Sequence, residues 1–348
     1  MVRFALVTFG GRRPDQLAVV AHRLVADHVS MRILLEDLRT ALAQLAAGEP
    51  VRLPAKTTSW QSWARRLVAY AATPSVQSQH GYWSEMARAP AARLPLDADA
   101  EPAANTVASA RTVTATLDAA ATGELLRSTP AALTCSVDEL LLSALASTLS
   151  GWTGAPRHRA AVERHDRPQI FDDVDLTRTV GWLKTTHPIT LTAEPGSADA
   201  TLKATKEAMR AVPAGGIGWQ LLRQDTDPPP EAATELGFTY LGEADQPSSD
   251  GFTVAAESLE ADESPLGRRP YLIDVTASVA GGQLAVRWRY SERLHARQTL
   301  ESLAGRYIEE LRALVVLGRS AAGGVYIPSD FPLARVDQAR LDDLLSRL

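Results

Sequence analysis

The stretch YLIDVTASVAGGQLAVRWRYS constrains the fold of this chain more than any other. It reads as two strands turned at Gly281-Gly282, because a tight hairpin loop needs positive φ and glycine adopts it without steric cost. A lone hairpin is marginal in water, so further strands and a covering layer must accompany it. Strand-like runs are available in FALVTF and LAVVAH, turned at Gly10-Gly11, and in 111–117, HRAAVERHDRPQI, THPITLTA and ELGFTY.

Between these runs lie helical patterns. Ile33, Leu34, Leu38, Leu42 and Leu45 recur near helical spacing, with Ser30 as expected N-cap and Gly48 and Pro50 as stop signals. Trp60, Trp63, Leu67 and Tyr70 follow at intervals of three and four and are expected to pack in a core. Further helices are expected over 119–126, 137–149, 199–212 and 297–317. Residues 87–110, rich in Ala, Pro and Asp, read as an exposed crossing segment, and the tail from Tyr326 reads as a linker with a short amphipathic helix. The sum is a mixed α/β chain in two lobes, with its site between them. The expected divisions are 1–175, 176–318 and a C-terminal linker over 319–348.

A net charge of −5 gives the chain no general attraction for nucleic acid or anionic lipid. No run of about 18 apolar residues indicates a membrane span, and the N-terminus lacks the pattern of a signal peptide. The single cysteine, Cys135, cannot form an internal disulfide; it lies by an apolar stretch, reads as a buried thiol and fits a reducing cytoplasm.

Two polar clusters sit where strand-like runs end. The first is His22, Arg23, Asp27, His28 and Ser30. Neighbours on a strand point to opposite faces, so only one of His22 and Arg23 can face a pocket. Asp27 begins the turn, where a carboxylate can fix a neighbouring Arg or backbone amides. The second cluster is Glu163, Arg164, His165, Asp166 and Arg167. On extended backbone Glu163, His165 and Arg167 share one face, a row that offers a base, a partner for it and a cation for developing negative charge. A solvated charged turn is the competing reading. The seven histidines show no metal-binding spacing, no G-x-S-x-G elbow is present, and GGIGWQLL lacks the spacing of a nucleotide loop.

Several stretches, in order along the chain, resemble the condensation-type domains of nonribosomal peptide synthetases, and among them the epimerization domains. AHRLVADHVSMRILLEDL resembles the signature His-His-x-x-x-Asp-Gly-x-Ser-Trp-Arg-Ile-Leu-Leu-Glu-Asp-Leu. VERHDRPQIFDDVDLTRTVGWLKTTHPITL resembles the stretch built on Glu-Gly-His-Gly-Arg-Glu and Arg-Thr-Val-Gly-Trp-Phe, and GIGWQLLR, LGFTYLGEAD, VRWRYS and PSDFPLARVDQARLDDLL resemble later blocks. The resemblance implies two chloramphenicol-acetyltransferase-like lobes in a V, with a tunnel for the phosphopantetheine arm of a carrier protein. It implies removal and return of the proton α to a thioester carbonyl, interconverting L and D residues, without metal or nucleotide.

Residue by residue, the resemblance puts Glu163 at the catalytic glutamate, His165 and Arg167 beside it, Asp27 at the structural aspartate, and Arg178, Thr179, Gly181 and Trp182 in the epimerization block. His22 matches the first histidine of the pair, but Arg23 stands where the catalytic second one belongs, and arginine cannot act as a base. His28 replaces the motif glycine and Met31 its tryptophan, while Arg164 and Asp166 replace two further glycines. The expected catalytic set is Glu163, His22, Arg23 and His165, supported by Asp27, His28, Ser30, Arg167, Arg178 and Trp182.

The chain begins just before the histidine motif, so an N-terminal lobe short by about a hundred residues is expected. The bare sheet edge this leaves calls for a partner, either a neighbouring synthetase domain or a polypeptide completing the lobe. Two other functions stay open: an inactive docking module for a carrier protein or synthetase domain, and a condensation enzyme that transfers acyl groups.

Overall fold

From the N-terminus, a hairpin of β1 (Val2–Val7) and β2 (Gln16–Ala21) leads into α1 (His28–Ala46), α2 (Trp60–Ala71), the single turn α3 (Pro74–Gln77) and α4 (His80–Arg88). There follow β3 (Ala110–Leu117), α5 (Ala119–Leu126), α6 (Ser128–Leu133), α7 (Val137–Thr153), β4 (Arg157–Arg164), β5 (Thr185–Thr192), α8 (Ala198–Arg210) and α9 (Ile217–Asp225). The chain closes with β6 (Leu236–Glu243), β7 (Ile273–Ala280), β8 (Gln283–Ser291), α10 (Arg297–Ser320) and α11 (Gln338–Leu345). This computed structural model describes residues 1–11, 13–99, 101–165, 167–225, 232, 234–243, 263–320, 324–334 and 336–345. Asp166 lies outside them.

The expected hairpin at Gly281-Gly282 is the β7–β8 pair, both glycines at positive φ. It sits within a six-stranded sheet of order β3-β8-β7-β6-β4-β5, in which β4–β6 and β6–β7 run parallel and the other pairs antiparallel. Strands from both sides of residue 175 build this one sheet, β3 and β4 before it and β5 to β8 after. Period two divides the sheet's residues between its faces. Val162, Phe238, Val275 and Trp288 point into a core shared with α7 and α10, whose Leu141, Leu145, Tyr307 and Leu311 are buried. The other face carries Glu163, Thr239, Asp274, Thr276, Arg287 and Arg289. One face is therefore a core and the other a polar surface fit for chemistry.

α7 begins with a capping box in which Ser136 Oγ accepts from Glu139 N and Glu139 Oε2 accepts from Ser136 N. It ends at Gly154 in the left-handed region, and its apolar body is almost wholly buried. The β1–β2 hairpin forms a separate two-stranded sheet, and its Phe4, Leu6 and Val20 are exposed.

Four expectations are corrected. Asp27, not Ser30, is the N-cap of α1: its backbone is extended and its side chain accepts from Ser30 N. Trp63 is buried as expected, but Trp60 is 43% exposed. The 87–110 segment is anchored rather than exposed throughout: Leu94, Asn105 and Ser109 are buried, and Asn105 Nδ2 donates to Tyr271 O at 2.8 Å. In the tail, Val325 and Ile327 are buried, and the buried Lys206 donates to Thr134 O and Val325 O and pairs with Asp330. Its first half is packed body, not free linker.

Candidate active site

Asp27 organises the turn into α1. Its fully buried carboxylate accepts from Ser30 N at 2.8 Å, Ser30 Oγ at 2.7 Å and Leu183 N at 3.1 Å, and from the Arg167 guanidinium at 2.5 and 3.0 Å. Burial works against its ionisation, and the bonds from Arg167 and Ser30 outweigh that cost, holding its pKa at about 2. Ser30 Oγ also lies 2.9 Å from Gly181 O and 3.0 Å from Gly181 N, while Asp27 N donates to Gly181 O. The close approach uses the missing side chain, because a Cβ on Gly181 would collide with the Trp60 indole. Arg178 pairs with Glu36 and Asp37 of α1, and Thr179 Oγ1 donates to Thr58 O. The 178–183 segment thus ties α1 and the approach to α2 together.

Glu163, near the end of β4 on the polar face, stands between two nitrogen groups. Its Oε1 lies 3.1 Å from His165 Nε2, and its Oε2 pairs with Lys184 Nζ just before β5. Burial pushes its pKa up, but the adjacent His165 imidazole and the Lys184 ammonium prevail and hold the carboxyl below its ordinary value. It is a partly buried carboxylate with the chemistry to accept a proton. Arg167 leaves the expected row, because β4 ends at Arg164 and the chain turns towards Asp27.

The first cluster is divided. His22 is exposed, and its Nδ1 accepts from Leu24 N at 3.1 Å. Arg23 is 61% exposed and pairs with Glu263, which Arg289 of β8 also holds at 3.0 Å. Neither touches Glu163 among the described residues. His28 does approach the second cluster, with its ring edge-on to His165 at 6.1 Å between centroids. Partial enclosure first, then His165 and Arg32, push the His28 pKa down.

Beside Lys184 a cleft of about 830 Å³ opens between α2 and α9, lined by Trp60, Trp63, Leu67, Trp182, Lys184 and Leu221 among others. Lys184 Nζ sits 4.3 Å from the Trp182 ring centre, so one cation joins the aromatic cleft to the Glu163 carboxylate. Sequence reasoning passed over Lys184 and Asp274. Lys184 reaches Glu163 through the β4–β5 pairing, and Asp274 is carried to the polar face by the register of β6 and β7. Among the described residues no three His, Cys, Asp or Glu side chains are grouped so that they could hold a metal ion, and no single helix is long and apolar enough to cross a membrane.

Residues 1–331 match the family described as "Condensation domain". The chain is 39% identical over its whole length to a part of a linear gramicidin synthase polypeptide of Brevibacillus parabrevis, and 36% identical over 99% of its length to a part of chondramide synthase cmdD of Chondromyces crocatus. It spans only 5% and 9% of those proteins. Among solved structures, the epimerization domain from the third module of tyrocidine synthetase B is similar at 31% identity and a TM-score of 0.83, covering 91% of this chain and 72% of that one. The first condensation domain of the CDA synthetase shares the fold, at 18% identity and a TM-score of 0.61, over 93% of this chain and 68% of that one. A family match across nearly the whole chain, and a mixed sheet that superimposes on these domains, lead to one conclusion: the chain belongs to the condensation-domain family of the nonribosomal peptide synthetases.

Proposed function

We propose that this domain interconverts the L and D forms of an aminoacyl or peptidyl residue held as a thioester on the phosphopantetheine arm of a carrier protein. Glu163 is the base. The observation that carries the reading is the Glu163 carboxylate on the polar face of the sheet, its pKa held down beside His165 and Lys184, with Lys184 itself lining an aromatic cleft. Taking an α proton needs an ionised base, and the enolate that follows needs a nearby donor or cation. Lys184 and His165 are the groups placed to serve that second need. The likeness to an epimerization domain points the same way.

In this reading Asp27, Ser30, Arg167 and Arg178 hold the turn and α1, and His22 and Arg23 stand outside the proton transfer. Substrate arrives on a carrier protein, the domain needs no cofactor of its own, and it works in the cytoplasm beside other synthetase domains.

The test is inversion of pantetheine thioesters of the chiral proteinogenic amino acids, followed by chiral separation of the hydrolysed products. The wild-type chain inverts at least one of them, and Glu163→Gln lowers that rate by about 10²-fold or more. Absence of inversion for every thioester overturns the reading.

One observation favours a second reading, a docking module without activity. Arg23 occupies the place of the family's catalytic histidine and is tied to Glu263. Retained binding of a loaded carrier protein by a chain inert in the inversion assay distinguishes it. Acyl transfer is disfavoured on the same ground, because Arg23 cannot supply a base.

A further inference from the structure

The cleft between α2 and α9 has a fixed floor and uncovered walls. Trp63, Leu183 and Ile217 form the floor, buried together in a small core of their own. Trp60 and Val68 stand in the wall, 43% and 75% exposed. The Trp60 indole is nonetheless held: its Nε1 donates to Trp182 O at 3.4 Å, and its ring rests against Gly181, where no side chain intervenes. Among the described residues the lining holds no carboxylate, and each of its two cations lies against an aromatic ring, Lys184 over Trp182 and Arg223 over Trp219. A preformed, mostly apolar space of about 830 Å³ has the size and character that suit an apolar group rather than an ion.

The cleft adjoins the base. Lys184 lies in its wall and pairs with Glu163 Oε2, so one ammonium spans from the carboxylate to the Trp182 ring. Thr185, also in the wall, precedes Thr186, the register partner of Glu163. A second cavity, of about 110 Å³, shares Gln220 and Arg223 with the cleft and is lined in part by Thr186 and Ala161. Ala161 stands two residues before Glu163 on β4 and, by the alternation of a strand, on the same face. An α carbon held about 3–3.5 Å from the Glu163 carboxylate therefore has, past Lys184, an apolar space for its side chain.

Resting on the epimerization reading, we propose that the cleft receives the side chain of the thioester residue and selects large apolar ones, aromatic above all. With the α carbon at Glu163, the side chain passes Lys184 and lies among Trp60, Trp182 and Leu221. Burying it removes apolar surface from water on both partners, and an aromatic ring adds edge-to-face or offset contact with the indoles. A short side chain leaves those walls wet and gains little. A charged one gives up its water in a mostly apolar lining and is disfavoured.

The experiment measures kcat/KM for inversion of phenylalanyl, leucyl, alanyl, aspartyl and lysyl pantetheine thioesters. Phenylalanyl and leucyl exceed alanyl by about tenfold or more, and aspartyl and lysyl fall below it. Ala64→Trp fills the cleft from α2 and lowers the phenylalanyl-to-alanyl ratio by about tenfold. Val68→Glu, at an exposed wall position, raises the lysyl-to-phenylalanyl ratio by a similar factor. Each readout is a ratio within one protein, so a general loss of folding or activity cancels. Wild-type rates within about twofold of one another, or highest for aspartyl or lysyl, overturn the inference while epimerization stands. Ratios that neither variant moves do the same. A wild-type chain that inverts none of the thioesters overturns both.

Discussion

Arg167 lays its guanidinium across the Asp27 carboxylate, at 2.5 and 3.0 Å, and so joins positions 140 residues apart in the chain. The pair is almost fully enclosed, with side chains 10% and 0% exposed. Removing either member strands a charge in a site that water does not reach. Arg167→Met is expected to destabilise the domain by about 3–5 kcal/mol. Urea denaturation measures this, and a loss below about 1 kcal/mol, typical of exposed pairs, refutes it.

The same pair makes stability depend on acid. The Asp27 pKa falls on folding from 3.8 to about 2, so its contribution is fully present above the unfolded value and is lost as pH falls through the folded one. The contribution amounts to about 2 kcal/mol. Wild type should therefore lose stability more steeply than Asp27→Asn between about pH 4 and pH 2. Parallel curves for the two proteins would contradict this.

The Lys184 ammonium favours the ionised form of Glu163, so Lys184→Met should raise the Glu163 pKa. The acid limb of the pH–rate profile for inversion then moves to higher pH, and the rate at mildly acidic pH falls more than the rate at neutral pH. An acid limb that stays in place would detach Lys184 from the base.

Arg23 and Glu263 form a partly exposed pair, and Arg23→Ala should cost no more than about 1 kcal/mol in stability. Arg23→His instead introduces a group that titrates near neutrality. If that position still faces the substrate, the profile acquires a limb near pH 6.5 that wild type lacks. An unaltered profile places residue 23 outside the chemistry.

Gly181→Ala drives a methyl group into the Trp60 indole beside the Ser30 and Asp27 bonds, at an expected cost of about 1–3 kcal/mol. Trp60→Leu should recover part of that loss in the double variant. Strict additivity of the two changes would locate the strain elsewhere.

Much of the fold was legible because its signals are local. The Gly281-Gly282 turn is written within a few residues, as is the helical spacing of Ile33, Leu34, Leu38 and Leu42 in α1. The N-cap of α1 was misplaced because Asp27 and Ser30 are both good caps, and only contacts with distant Arg167 and Gly181 decide between them. Glu163 and His165 were legible as neighbours from period two alone. Lys184 and Asp274 were not, since each is delivered by the pairing of strands, and neither has a local pattern that separates it from an ordinary polar residue. Trp60 carries a core-like spacing and yet lines a cleft, because helical periodicity gives the face of a helix but not what lies opposite.

The strand order has a consequence for how the chain comes to exist. β3, the first strand of the large sheet, is bonded to β8, the last, and the hydroxyls of Ser109 and Ser291, 182 residues apart, close that seam at 2.8 Å. Pairings so distant in sequence are slow to form. During synthesis β3 and β4 leave the ribosome long before β6, β7 and β8 can flank them, so the nascent sheet waits with bare edges and the wall around Glu163 is among the last parts completed. Refolding of such a chain from denaturant should therefore be slow and prone to aggregation.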